Sequence, residues 1–240
     1  MKIEILFPEQ GYLHGDMGNV QYLKACLPEA EFVETTLADM PAFVNEEIDL
    51  IYMGYLSKEM LVKAIDKLMP YKERIQEMIN DKKCILFTGN AMEVLFREVV
   101  YGEEVIPALN IFDFTTIVDE KRKYEGNYYG QFNERKIVAC KIQSSMTYGS
   151  NENFSFCKGL RGMGINRSTI CEGIRKNNFY GTYLIGPLLI MNPYFTSFLF
   201  ARMGIVRPKL AYAAAVKDAY ARRVEEFDNK STTMEILVKR

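Results

Sequence analysis

The run Cys84-Ile85-Leu86-Phe87, the triplet Thr88-Gly89-Asn90 and the apolar-patterned stretch from Ala91 to Val100 limit this chain more than any other part of it. Four apolar residues without polar alternation are too short for a helix and read as a strand covered on both faces. The triplet is a sharp turn, and the spacing after it predicts a helix. A buried strand, a tight turn and a helix make the elbow on which α/β enzymes raise a nucleophile above the sheet. Its apex residue is Thr88, and no basic residue stands beside it.

The flanking sequence extends the pattern. Lys2 to Phe7 reads as a first strand and Pro8 to Gly15 as a loop. Asp16 stands at an amino-cap position ahead of Val20, Leu23 and Leu27, and Pro28 stops that helix. Glu31 to Thr35 alternates like a second strand, and Asp49 to Met53 is a third. Ser57 caps a helical region that Pro70 divides. Strands alternating with helices at this spacing imply βαβ units, hence an α/β fold with a mostly parallel sheet between helices. After Gly102 the stretches Ile111 to Val118, Tyr124 to Phe132 and Lys136 to Gln143 read as antiparallel strands added at one side of the sheet. Ser144 to Arg167, rich in glycine and asparagine, reads as a surface loop. Asn178 to Leu184 returns as a strand, Pro193 to Met203 and Ala211 to Phe227 as helices, and the last dozen residues as a charged tail.

Composition narrows the function. A net charge of −1 recruits neither nucleic acid nor an anionic membrane, and the clusters Lys121-Arg122-Lys123 and Arg222-Arg223 are flanked by acids. The longest hydrophobic stretch, Tyr183 to Phe200, is broken by Gly186, Pro187, Asn192 and Pro193, so no membrane span is expected. The five cysteines are scattered, and no signal peptide precedes them, which points to reduced thiols in a cytoplasm. His14 is the only imidazole, so no zinc site is expected.

Four stretches together resemble one family: Gly15-Asp16-Met17-Gly18-Asn19, Met53-Gly54-Tyr55, Thr88-Gly89-Asn90 and Gly181-Thr182-Tyr183-Leu184-Ile185-Gly186-Pro187. They are similar to class I glutamine amidotransferases of the cobyric acid synthase branch. The nearest likeness is to the small subunit that pairs with a Mur-ligase-like protein to amidate lipid II in peptidoglycan synthesis. The resemblance spans about residues 1–204, with 205–240 a helical extension of the same domain. It implies a flavodoxin-like three-layer sandwich and no cofactor. In the family a cysteine at the elbow attacks the glutamine amide, a histidine after the Gly-Thr-Tyr-Leu stretch deprotonates it, and backbone amides hold the oxyanion. The matching positions here are Thr88 and Ile185, with Gln143 at about the place of a further histidine. Gly54, Tyr55, Gly89 and Asn90 correspond to the oxyanion and binding loops.

An internal threonine lacks the amino-terminal amine that activates threonine nucleophiles, and isoleucine takes no proton. The resemblance therefore implies a framework without glutaminase chemistry, kept as a binding or regulatory subunit of a Mur-ligase-like or other synthetase. The rival reading is a re-purposed α/β enzyme or small-molecule-binding protein, with Gln143, Ser144, Ser145, Tyr55 and Asn90 supplying polar contacts. His14 reads either as a locally bonded loop residue or as a ligand contact. Cys84 and Cys26 read as packing, and Asp16 and Asn19 as a capping and turn device.

Overall fold

The computed structural model describes residues 1–9, 11–119 and 121–235. Its first third runs β1 (Lys2–Leu6), α1 (Met17–Cys26), β2 (Glu31–Thr35), β3 (Leu50–Met53), α2 (Lys58–Leu68), α3 (Lys72–Asn80) and β4 (Cys84–Thr88). The apolar strands β3 and β4 are buried along their whole lengths, as their unalternated sequences require. Ser57 caps α2 by accepting a hydrogen bond from the Met60 N–H, and a 3-10 turn at Met69–Tyr71 marks the break at Pro70.

The middle comprises β5 (Glu98–Tyr101), β6 (Glu104–Pro107), β7 (Thr115–Val118), β8 (Tyr124–Phe132), β9 (Arg135–Gln143), β10 (Ser145–Tyr148) and β11 (Cys157–Arg161). The last part holds β12 (Cys171–Glu172), β13 (Ile174–Lys176), β14 (Phe179–Thr182), β15 (Leu184–Ile185), α4 (Leu188–Met191), α5 (Pro193–Arg202) and α6 (Ala213–Asp228).

The main sheet has the order β13-β14-β4-β3-β1-β2 and is parallel except for its edge strand β13. The run 2-1-3-4 is the flavodoxin-like order, so the expected α/β class holds. The added strands differ from expectation. They do not extend the main sheet but build two further sheets, β10-β7-β5-β6 and β12-β11-β8-β9-β15.

Two segments fold otherwise than their patterns predict. The helix expected over Ala91 to Val100 is a 3-10 turn at Ala91–Leu95 followed by β5. The carbonyls that would continue the helix are taken by a distant loop: Val94 O accepts from Leu109 N, Leu95 O from Ile111 N and Phe112 N, and Phe96 O from Asn110 N. The same bonds hold Ile111 and Phe112 out of β7, which begins only at Thr115. The expected surface loop Ser144 to Arg167 contains β10 and β11, and two of its asparagines, Asn151 and Asn166, are buried fixtures. Asn151 Nδ2 donates to Cys171 O and Gly173 O, and Asn166 Nδ2 to Thr147 O.

The apolar core is shared between the main sheet, the elbow and the aromatics Phe132, Phe156, Tyr180 and Phe195, whose rings meet edge-on or tilted. Of the expected tail, residues 236–240 lie outside the described residues. The part before it is tied down by Arg161, whose guanidinium donates to the carbonyls of Phe227, Asn229 and Thr232.

Candidate active site and adjoining cleft

The carboxyl ends of β1, β3 and β4 converge where α/β folds collect ligands. Thr88, the last residue of β4, is fully buried there. Its hydroxyl donates to Asp16 Oδ2 at 2.5 Å and accepts from Tyr52 OH at 2.8 Å. Asn19 closes the ring, one Nδ2 proton going to Asp16 Oδ1 at 2.7 Å and the other to Tyr52 OH at 3.0 Å. Asn19 Oδ1 in turn accepts from Leu189 N, joining the ring to α4. Asp16 is thus not the side-chain cap that its position suggests, since no capping bond forms. Burial pushes its carboxyl up to about 6, against the downward pull of the Thr88, Tyr55, Tyr52 and Asn19 bonds.

The loop after β3 is filled from within. Tyr55 N donates to Asp16 Oδ2 at 2.9 Å, and Leu56 N to Asn90 Oδ1 at 2.8 Å, while Asn90 Nδ2 returns to Leu56 O. Of the backbone donors in these loops, those of Tyr55 and Leu56 are therefore engaged with this chain's own side chains. Gly89 has φ +64°, and a Cβ there would lie 2.5 Å from the Tyr55 ring. A Cβ on Gly54 would meet Tyr12 equally closely. Both glycines are required by close packing of the two loops.

Ile185 is buried in β15, opposite Cys140 of β9. Its strand follows β14, where Thr182 lies opposite Thr88. Gln143 is buried too. Its Nε2 donates to Ser145 O and Ile165 O, and its Oε1 has no partner among the described residues. Cys84 and Cys26 are packed as expected, Cys26 Sγ accepting from Ala211 N. No group of three or more His, Cys, Asp or Glu residues that could hold a metal is present among the described residues.

Beside the elbow opens a cleft of about 370 Å³, bordered by His14, Tyr55, Lys58, Asn90, Glu93 and Lys123, with Ser144 and Ser145. His14 sits with φ +58° and meets the Tyr55 ring edge-on, its ring centroid 4.8 Å away. Burial and the nearby Lys123 hold its imidazole below the usual value. Glu93 is the residue that the sequence reading missed. It is 1% exposed, and its Oε1 accepts from Ser145 Oγ at 2.6 Å and Tyr183 OH at 2.8 Å. Burial pushes its carboxyl up to about 7. The signal was present: a lone acid between Ala91-Met92 and Val94-Leu95 needs a buried partner.

A parallel sheet of flavodoxin-like order, with an elbow after its central strand, defines an α/β protein of flavodoxin-like architecture. Comparison with solved structures narrows the fold. The chain is similar to PurLQS from Thermotoga maritima at 10% identity, over 93% of this chain and 98% of that one, with a TM-score of 0.52. It is also similar to a glutamine amidotransferase at 12% identity, over 84% and 99% of the two chains, with a TM-score of 0.56. The fold is glutamine amidotransferase-like. No family model and no curated protein matches the sequence.

Proposed function

We propose that this chain is an amidotransferase-like domain of the cobyric acid synthase or lipid II type that no longer hydrolyses glutamine by the family mechanism. In this reading it serves as a binding or regulatory subunit of an amide-forming ligase. One observation carries the first part: the hydroxyl at the nucleophile position is buried and already donated to Asp16. A hydroxyl buried in that ring has no access to a substrate, and no imidazole stands at residue 185 to activate it as in the family. Ile185, at the base position, supplies only packing. The ligase partnership rests on the sequence resemblance.

The test is direct. Purified protein incubated with glutamine is expected to release ammonia and glutamate at the buffer rate. Turnover above buffer that Thr88→Ala abolishes would overturn the reading. Recovery of a Mur-ligase-like subunit, identified by mass spectrometry, with the tagged chain would support the subunit role.

The cleft beside the elbow favours a second reading, a small-molecule site on the same framework. Its polar border and the buried Glu93 carboxylate form a preformed concave surface next to a silent elbow.

A further inference from the structure

We infer that the outer edge of β8 at residues 124–127 is a docking site for an extended segment of a partner protein, one that sets a bulky apolar residue beside an acid. Residues 229–235 of this chain hold the site in cis as a replaceable strap. The inference is independent of the glutaminase reading and of the cleft beside the elbow.

The edge itself is the first ground. β9 pairs with β8 along its whole length, but β11 covers the opposite edge only at residues 129–131. A strand edge left bare is a template for pairing with another segment. Here the strap takes it: Asn127 N donates to Met234 O at 2.6 Å, and Gly126 and Glu235 form an antiparallel bridge. A Cβ on Gly126 would lie 2.5 Å from Met234 O, so the approach of a second backbone requires glycine at that position.

The second ground is how the strap is held. Arg161 donates to the carbonyls of Asn229 at 2.7 Å and Thr232 at 2.6 Å, groups that every chain carries. Ser231 and Thr233 are exposed. Two side chains read the sequence. Met234 is half-buried against Tyr129, Val138 and Phe227, and Glu235 lies 3.5 Å from Arg167 on partly exposed surface, where such pairs are weak. Main-chain bonds of this kind give affinity to an added strand, and side-chain pockets give it specificity.

The third ground separates a partner from the strap. Met234 and Glu235 border a cavity of about 390 Å³, walled by Tyr124, Met163, Arg167 and Ile170, that they leave unfilled. A phenylalanine or leucine in the place of Met234 would reach into it while the following acid meets Arg167. The strap competes at an effective concentration of about millimolar, so a visiting segment must fit better than it does. A second copy of this chain brings the same Met234 and has no such advantage; a partner with a larger side chain has.

Fluorescence anisotropy of labelled heptapeptides titrated with the full chain decides the matter. One peptide has the sequence of residues 229–235, a second carries Met234→Phe, and a third carries Met234→Phe with Glu235→Lys. The second is expected to bind at least tenfold more tightly than the first and several-fold more tightly than the third. Loosening the strap in the full chain by Met234→Ser is expected to tighten binding of the second peptide about tenfold. Gly126→Ala is expected to abolish that binding, with its melting curve recorded to show that it folds, and the surface change Arg167→Ala to weaken it several-fold. No binding of the second peptide to the loosened chain would overturn the proposal, as would unchanged affinity in folded Gly126→Ala or in Arg167→Ala. Concentration-dependent dimerisation of the full chain that Gly126→Ala removes would also overturn it, by giving the site to a second copy.

Discussion

Replacing Thr88 with valine keeps the shape and deletes one hydroxyl from the ring around Asp16. Asp16 Oδ2 then retains only the Tyr55 N–H, whereas Tyr52 can turn its proton to Asp16 O, 3.2 Å away. The principal loss is therefore one hydrogen bond to a buried carboxylate. Such bonds contribute about 1.5–3 kcal/mol when the acceptor is charged and about 1 kcal/mol when it is neutral. Because Asp16 titrates at about 6 in the folded chain, the penalty depends on pH. At pH 8 the carboxylate is charged, and Thr88→Val is expected to cost about 2–3 kcal/mol. At pH 5 it is largely protonated, and the cost falls to about 1 kcal/mol. Removal of the donor raises the folded pKa of Asp16 further above its unfolded value, which is why the penalty grows as pH rises. Urea unfolding followed by far-ultraviolet circular dichroism at the two pH values measures both numbers. A cost below about 0.5 kcal/mol at pH 8, or equal costs at both pH values, would refute the reasoning. It would mean that Asp16 does not hold the Thr88 hydroxyl, and the main objection to chemistry at this residue would fall with it.

Three further outcomes follow from the same structure. Asp16 at about 6 and Glu93 at about 7 both titrate above their ordinary values. Their stabilisation is thus complete below pH ~4 and is lost as pH rises through 7, by about 3 kcal/mol each at most. Glu93→Gln is expected to flatten the stability profile between pH 5 and 8, and an unchanged slope would contradict the assignment. Lys141 is fully buried and pairs with the buried Glu172, also donating to Met163 O and Gly164 O. Lys141→Met strands Glu172 and is expected to cost about 3–5 kcal/mol in denaturant unfolding, much of it recovered by adding Glu172→Gln; a near-neutral single variant would show that the pair is dispensable. Thr88→Cys is expected to give a thiol that alkylates slowly at pH 7 with iodoacetamide, since it is buried and the adjacent Asp16 carboxylate opposes a thiolate; rapid alkylation would show an open, activated elbow.

The parallel half of the molecule was legible because each of its central strands is an unbroken apolar run, a pattern that burial on both faces demands. Legibility ended at Leu95, where the local pattern asks for a helix and the tertiary structure takes the carbonyls for the loop at residues 109–112. No local signal reports a bond made to a partner fifteen residues away. The same limit hid the site. Asp-Met-Gly-Asn before a helix looks like a capping device, and only the fold reveals that Asp16 reaches Thr88, 72 residues on. Glu93 was overlooked for the opposite reason: its neighbours are so apolar that the stretch was read for its period rather than for its exception.

The Asp16 ring bears on what a substitution at the elbow means. A cysteine there needs help to become a thiolate, and a neighbouring carboxylate opposes that by like charge. Threonine suits the same surroundings because its hydroxyl both donates to Asp16 and accepts from Tyr52, two bonds that a thiol makes weakly. Valine at that place would satisfy neither. The residue at 88 is therefore matched to its neighbours as a structural hydroxyl, which makes the elbow part of the support for the adjoining cleft. The Asp16 carboxylate and the Thr88 hydroxyl thus make their hydrogen bonds with each other, Tyr52, Asn19 and the Tyr55 N–H.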